Sequence, residues 1–231
     1  MCVVKRIAIH QPQYLPYLGF FHKVAHCDCF VALDHVQFQK NGLQNRNKLK
    51  CNSETGWQWL TVPVLHNHGQ SISQTRIDSA TPWAKKHWNA VLMNYSRAPH
   101  FEDYSYAIRD LLCRDWTSLC ELNMALIEWV LQVTDIPTPV IRSSSLGVEG
   151  ERSELLINIC RALDGDCYFS GPGGWRYMDL SMFESAGIEV EWQEFECPTH
   201  EQRYAHRGFI PNLSALDALL NCGRSVRDWC V

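Results

Sequence analysis

The chain has 231 residues, of which 46% are apolar and 20% charged, and its 21 Lys and Arg against 25 Asp and Glu leave a formal net charge of −4. An acidic balance speaks against a general nucleic-acid binder, which carries a basic surplus, and nine Trp, eight Tyr and nine Phe exclude a disordered chain. No run reaches the roughly 18 to 20 uncharged apolar residues of a membrane helix, so neither nucleic acid nor membrane is an expected partner.

Elements alternate from the start. Val3 to Ile9 reads as a strand, and Pro12 and Pro16 make residues 10 to 17 a loop. A helix from about Leu18 to His26 and a strand from Cys29 to Leu33 complete a βαβ-like opening. In a parallel sheet this sets ligands at the carboxyl ends of strands, where His10 and Asp34 fall. Residues 35 to 53 are polar and read as a loop. Trp57 to Val64 is a third strand and Gln70 to Ile77 a fourth. Thr81-Pro82 reads as a cap with proline in the first turn, and three helices follow to about residue 135. The third carries Leu119, Leu122, Leu126, Trp129, Val130 and Val133 on one face. The last third alternates again: strand at Val140, helix from Glu151 to Leu163, strand at Cys167, helix from Leu180 to Ala186, strand from Ile188 to Phe195. Ser214 to Asp217 has capping-box spacing before a final helix. Without a repeat or linker, the expectation is one α/β domain over 1–231. Its sheet is mostly parallel and Rossmann-like, with a helical insertion at roughly 80–135.

The N-terminal residues Met1 to His10 lack the apolar stretch and cleavage site of a signal peptide. The eleven cysteines contain no CxxC pair, so they read as reduced thiols of a cytoplasmic protein.

Chemistry concentrates in few places. Gln37 to Lys50 holds Lys40, Arg46, Lys48 and Lys50 with interleaved Asn41, Asn45 and Asn47, and no acid lies between Asp34 and Glu54. Cations and amides together can hold a phosphate or carboxylate, or can form a solvated basic face. Ser170-Gly171-Pro172-Gly173-Gly174 follows a strand and reads as a phosphate-binding turn or as a tight structural turn. His10 is a candidate general base and Asp34 a candidate to orient it. No metal is expected: His22 and His26 are four apart, but Lys23 replaces the Glu of HExxH.

Residues 10 to 21 (HQPQYLPYLGFF) resemble the opening of the WbqC-like protein family. Phe30 to Lys40 (FVALDHVQFQK), Asn45-Arg46-Asn47-Lys48 and Trp59 to Pro63 (WLTVP) are similar to further blocks of it. So are Tyr168-Phe169-Ser170-Gly171 with Tyr177, and Leu213 to Asp217 with Gly223. The chain departs at His35, where Asp is usual, and at Cys197 to Gln202, where the family tends to have a Tyr before the Gln. The resemblance implies a bacterial protein of surface-polysaccharide or specialised-metabolite pathways, with transfer of small acyl or aminoacyl groups as a proposed role. Its motif residues here are His10, Gln11, Tyr14, Asp34, Gln37, Lys40, Arg46, Asn47, Lys48, Ser170, Gly171 and Tyr177.

Together these readings predict a group transferase acting on a small molecule, with a carrier-protein thioester as one form of donor and the cofactor left open. His10 and Asp34 are its catalytic candidates, Lys40, Arg46 and Lys48 hold the anionic donor, and Ser170 with its glycines binds an oxyanion or phosphate. A nucleotide-dependent enzyme and a non-catalytic binding protein are the alternatives. The opening topology is similar to that of HxGH nucleotidyltransferases, although no H-x-G-H occurs.

Overall fold

A computed structural model describes residues 4–231, so Cys2 and the predicted strand position Val3 lie outside the described residues. Five parallel strands form the central sheet: β1 (Arg6–His10), β2 (Cys29–Ala32), β7 (Val140–Arg142), β8 (Cys167–Ser170) and β9 (Glu189–Trp192). Their spatial order is β7-β2-β1-β8-β9. In order of appearance within the sheet this is 3-2-1-4-5, the doubly wound arrangement, and the direction of winding reverses between β1 and β8. Register aligns Ile9 with Val31 and Ala8 with Phe169.

Side chains alternate across this sheet with a period of two. Ile7, Ile9, Cys29, Val31 and Tyr168 enter one apolar cluster, closed by α5 (Arg152–Ala162) and α6 (Leu180–Ala186). Ala8, Phe30, Ala32 and Phe169 enter the other, against α1 (Leu18–Ala25). Both faces are covered, which is why these strands read as short continuous apolar runs. The predicted middle helices form as α2 (Trp83–Tyr95), α3 (Phe101–Cys113) and α4 (Leu119–Val133). They lie in the long crossover from β2 to β7, and their buried faces join the same core as Phe20 and Phe30.

Three local expectations change. The polar segment is not all loop: β3 (Arg46–Lys50) pairs antiparallel with β4 (Trp57–Thr61). Its inward positions are Asn47 and Leu49, and the polarity of Asn47 hides the period of two. The third predicted strand stops at Thr61, two residues before Pro63, which has no N–H for a ladder. Val64–Leu65 (β5) then pairs only with Arg76–Ile77 (β6), all that forms of the fourth. Pro82 is itself the cap of α2, without a side-chain cap bond, and the Trp83 amide donates to the Thr81 carbonyl at 2.8 Å.

The segment between β1 and α1 passes through the interior. Pro12 to Pro16 are all buried, so their backbone polar groups need partners inside the protein. Side-chain amides supply several. Asn123, fully buried on α4, donates to the Pro12 carbonyl at 3.2 Å and to that of Gln44 at 2.8 Å. Asn47 donates to the Leu15 carbonyl at 2.7 Å and accepts from the Lys48 amide at 2.8 Å. The Tyr14 amide donates to the Leu43 carbonyl at 2.9 Å, and that of Ala215 to Pro16 at 2.8 Å.

A second polar knot anchors the C-terminal segment under α7 (Ala215–Cys222). Ser214 caps α7 by accepting from the Leu216 amide at 3.3 Å, but Asp217 does not complete a capping box. Its buried carboxylate turns inward and accepts from Tyr95 Oη at 2.8 Å, Gln202 Nε2 at 2.8 Å and His200 Nε2 at 3.0 Å. The other nitrogen of His200 meets the Pro198 carbonyl at 3.0 Å. Two acceptors require two donors, so the ring is an imidazolium. Burial opposes that charge, yet the Asp217 and Pro198 contacts outweigh it and the His200 pKa is raised.

Two outcomes follow from these knots. Asn47→Ala strands the buried Leu15 carbonyl and is expected to destabilise by about 1–3 kcal/mol, visible as a lowered denaturant midpoint with an unchanged slope. His200 titrates above its unfolded value of about 6.5, so its contribution is complete below that pH and drains as pH rises through the raised folded value. Thermal melts across this window are expected to lose that drain in His200→Gln; an unchanged profile excludes the imidazolium.

Candidate functional site

Strands β1 and β8 end side by side at the switch point, and their last residues are His10 and Ser170. Above them opens a cavity of about 540 Å³. That falls in the usual range for small-molecule sites, roughly 300–1,000 Å³. His10 and Gln11 form its floor, Lys23 of α1 one wall, and Ser170 with Gly171, Gly173 and Gly174 another. Arg152, Tyr177 and Gln39 stand at the rim, and Leu33, Val36, Leu155 and Leu156 supply an apolar lining. Among the described residues no Asp or Glu lines it.

His10 is held in one tautomer. Its Nδ1 lies 2.9 Å from the Gln11 carbonyl, an acceptor, so Nδ1 carries the proton and Nε2 keeps a lone pair. Phe20 packs edge-on against the ring, with centroids 5.5 Å apart. Burial, with the nearby Lys23 charge, pushes the His10 pKa down to about 4, so the ring is neutral at physiological pH. Gln11 is oriented in turn: Gln44 Nε2 donates to its Oε1 at 2.8 Å, and Gln44 Oε1 accepts from the Gln39 amide at 2.8 Å.

Lys23 is 3% exposed. Its ammonium donates to the Ile9 carbonyl at 3.4 Å, a long contact, and among the described residues it takes part in no ion pair. Burial pushes its pKa down to about 8. Lys23 and Arg152 are not among the site candidates that the sequence offers. The signal for Lys23 was a charge among Phe20, Phe21 and Val24 on the buried side of a short helix. Arg152 has a φ of 50°, a left-handed conformation that costs an ordinary residue about 1–2 kcal/mol, at the first position of α5.

The glycine turn is tightly built. Gly174 N–H donates to the Gly171 carbonyl at 3.0 Å, and Ser170 Oγ donates to the same carbonyl at 3.2 Å. A Cβ on Gly174 would lie 2.3 Å from Ser170 Oγ and 2.9 Å from Met178 Sδ, so no side chain fits there. The N–H groups of Gly171 and Gly173 have no acceptor among the described residues.

The predicted site residues divide between locations. His10, Gln11, Ser170, Gly171 and Tyr177 line the cavity. Asp34 does not reach His10: its buried carboxylate accepts from Ser143 Oγ at 3.0 Å, Ser144 N–H at 2.9 Å and Ser144 Oγ at 2.8 Å, tying β2 to the turn after β7. Tyr14 is core, fully buried with its hydroxyl 2.8 Å from His87 Nδ1. Gln37 and Lys40 are exposed. Arg46 lies over the Trp59 ring at 4.3 Å and Lys48 over Trp57 at 4.2 Å, both on the outer face of the β3–β4 hairpin. Asn47 and Lys48 border a separate hollow of about 310 Å³ with Tyr17 and Trp59.

Burial pushes the thiols of Cys27, Cys120, Cys160 and Cys230 up to about 12, so these are core hydrophobes and poor nucleophiles. Among the described residues no group of three or more His, Cys, Asp or Glu is arranged for a metal ion, and no helix is long and apolar enough to cross a membrane.

The profile of the WbqC-like protein family matches residues 11–228. The chain is 33% identical over 229 residues to "Uncharacterized protein Rv1507c" of Mycobacterium tuberculosis (strain ATCC 25618 / H37Rv), covering 98% of this chain and 97% of that protein. No solved structure matches the chain.

The turn geometry generates a paired prediction. Gly174→Ala drives a methyl into Ser170 and is expected to destabilise by about 1–3 kcal/mol. Gly173→Ala, whose Cβ meets nothing within 4 Å, is expected to change stability by less than about 0.5 kcal/mol. Equal losses in differential scanning calorimetry would refute the packing argument.

Proposed function

The chain belongs to the WbqC-like family, and we propose that it is a group transferase that moves an acyl or aminoacyl unit from an anionic or carrier-bound donor to an amine or hydroxyl acceptor. The observation that carries this reading is His10: a neutral imidazole whose Nε2 keeps a lone pair on the floor of the switch-point cavity, beside a turn whose Gly171 and Gly173 N–H groups have no acceptor among the described residues. A base that is neutral at working pH and faces the cavity suits proton removal from an acceptor.

With a thioester donor the step balances as follows. The acceptor nitrogen or oxygen attacks the donor carbonyl carbon, and His10 Nε2 takes the acceptor's proton. The carbonyl oxygen gains charge as the tetrahedral intermediate forms. The C–S bond then breaks, and His10 returns the proton to the leaving thiolate. Gln11 and Tyr177 bear on the acceptor from floor and rim. The role first expected of Lys40, Arg46 and Lys48 passes to Lys23 and Arg152, which share the cavity with His10.

A nucleotide-dependent reaction is the second reading. The 3-2-1-4-5 strand order favours it, because such sheets bind nucleotides at this same crevice. Thermal shifts separate the two, since a ligand at about 100 times its Kd adds about 2.7 kcal/mol, or roughly 5–10 °C for a chain of this size. Stabilisation by coenzyme A thioesters or pantetheine-linked carriers supports acyl transfer; stabilisation by nucleotides alone supports the second reading.

With the donor identified, His10→Ala is expected to lower kcat about 100-fold or more. The acid limb of the wild-type pH–rate profile is expected near pH 4, not 6.5, because His10 stays unprotonated down to that pH. An unchanged rate in His10→Ala removes His10 from the chemistry.

A further inference from the structure

We propose that the cavity's ligand carries a phosphate group, and that this phosphate seats on the Lys23 ammonium between Arg152 and the N–H groups of Gly171 and Gly173. The inference rests on reading the cavity as the transferase site, and it names the chemical class of the donor's binding handle.

The argument starts from Lys23. An ammonium taken from water into the protein interior is destabilising unless an anion or several acceptors replace its hydration. Among the described residues the buried group has a single long contact, to the Ile9 carbonyl at 3.4 Å. The titratable groups whose charge is felt at Lys23, His10 and Cys27, are neutral at physiological pH and offer no countercharge. The cavity adds a second cation, Arg152, and no acid. A ligand anion is therefore the missing partner.

Donor count selects the kind of anion. Lys23 retains two N–H bonds beyond the one to Ile9, Arg152 offers a planar fork, and the turn offers two N–H groups. A carboxylate has two oxygens for such a set, whereas a terminal phosphate has three and up to two charges. The turn also allows close approach: a Cβ built on Gly171 would lie 3.5 Å from Lys23 Nζ, so the ammonium and the Gly171 backbone are neighbours. Leu155 and Leu156 on the opposite wall leave an apolar surface for the rest of the ligand.

The test is a thermal-shift titration of the full chain with inorganic phosphate and pyrophosphate at constant ionic strength, using wild type, Lys23→Met, Arg152→Gln and His10→Ala. Wild type is expected to gain stability with both anions. Lys23→Met is expected to melt higher than wild type without ligand, because an unpaired buried charge is gone, and to bind phosphate on the order of 10- to 100-fold more weakly. Arg152 is exposed, so its variant folds regardless of Lys23 and is expected to weaken the shift in part. His10→Ala is expected to keep the phosphate shift, so the anchor is scored apart from the transferase chemistry; loss of activity there with the shift intact supports both. Adenosine diphosphate and pantetheine 4′-phosphate, titrated in parallel, identify whether a nucleotide or a carrier arm brings the phosphate. No wild-type shift with any of these probes, or an undiminished shift in Lys23→Met, overturns the proposal.

Discussion

Pro12 to Pro16 form an irregular segment that is buried at every position. A chain without a ladder or a helical turn must satisfy its peptide groups some other way, or lose about 1–3 kcal/mol for each one left dry. Amide side chains from distant elements do this: Asn123 from α4 and Asn47 from β3. The segment sets where β1 ends and where α1 begins. It therefore sets the relation between His10 and Lys23, the two groups that give the cavity its character.

That relation is electrostatic as well as geometric. His10 is neutral because it is buried and because Lys23 is charged nearby. Lys23 remains largely charged near neutrality because its shifted pKa is still about 8. Two cations and one neutral base, with no carboxylate among the described lining residues, suit the proposed binding of an anion and the proposed transfer of a proton. Asp34 would have altered this balance had it faced inward; three hydrogen bonds from Ser143 and Ser144 hold it elsewhere. The hairpin cations belong to a different surface, where Arg46 and Lys48 lie over tryptophan rings, and a positive charge over such a face is stabilised by about 0.5–1 kcal/mol when exposed.

Legibility in the sequence followed periodicity. The sheet strands and α1 to α7 were readable because apolar residues recur at their proper spacing, and α6 fell on its predicted bounds of Leu180 to Ala186. The β3–β4 hairpin was hidden because an inward asparagine in β3 looks polar in one dimension and is buried in three. Of the site residues, His10 and Ser170 were readable as ends of predicted strands. Lys23 was not: its position in the sequence does not say that its helix is packed on every side, and Arg152 is more than a hundred residues away from it. Asp217 illustrates the reverse, since its capping-box spacing was visible but its carboxylate serves His200, Tyr95 and Gln202 instead.

By itself the sequence determined the α/β alternation, the buried strands and the family, because these depend on local residue order and on hydrophobic period. Only the tertiary structure decided the strand order, the separation of the hairpin cations from the cavity, and the pairing of an unpartnered lysine with a neutral histidine. These depend on which distant groups meet and on how much water is excluded where they do, and charge state and hydrogen bonding follow from that exclusion.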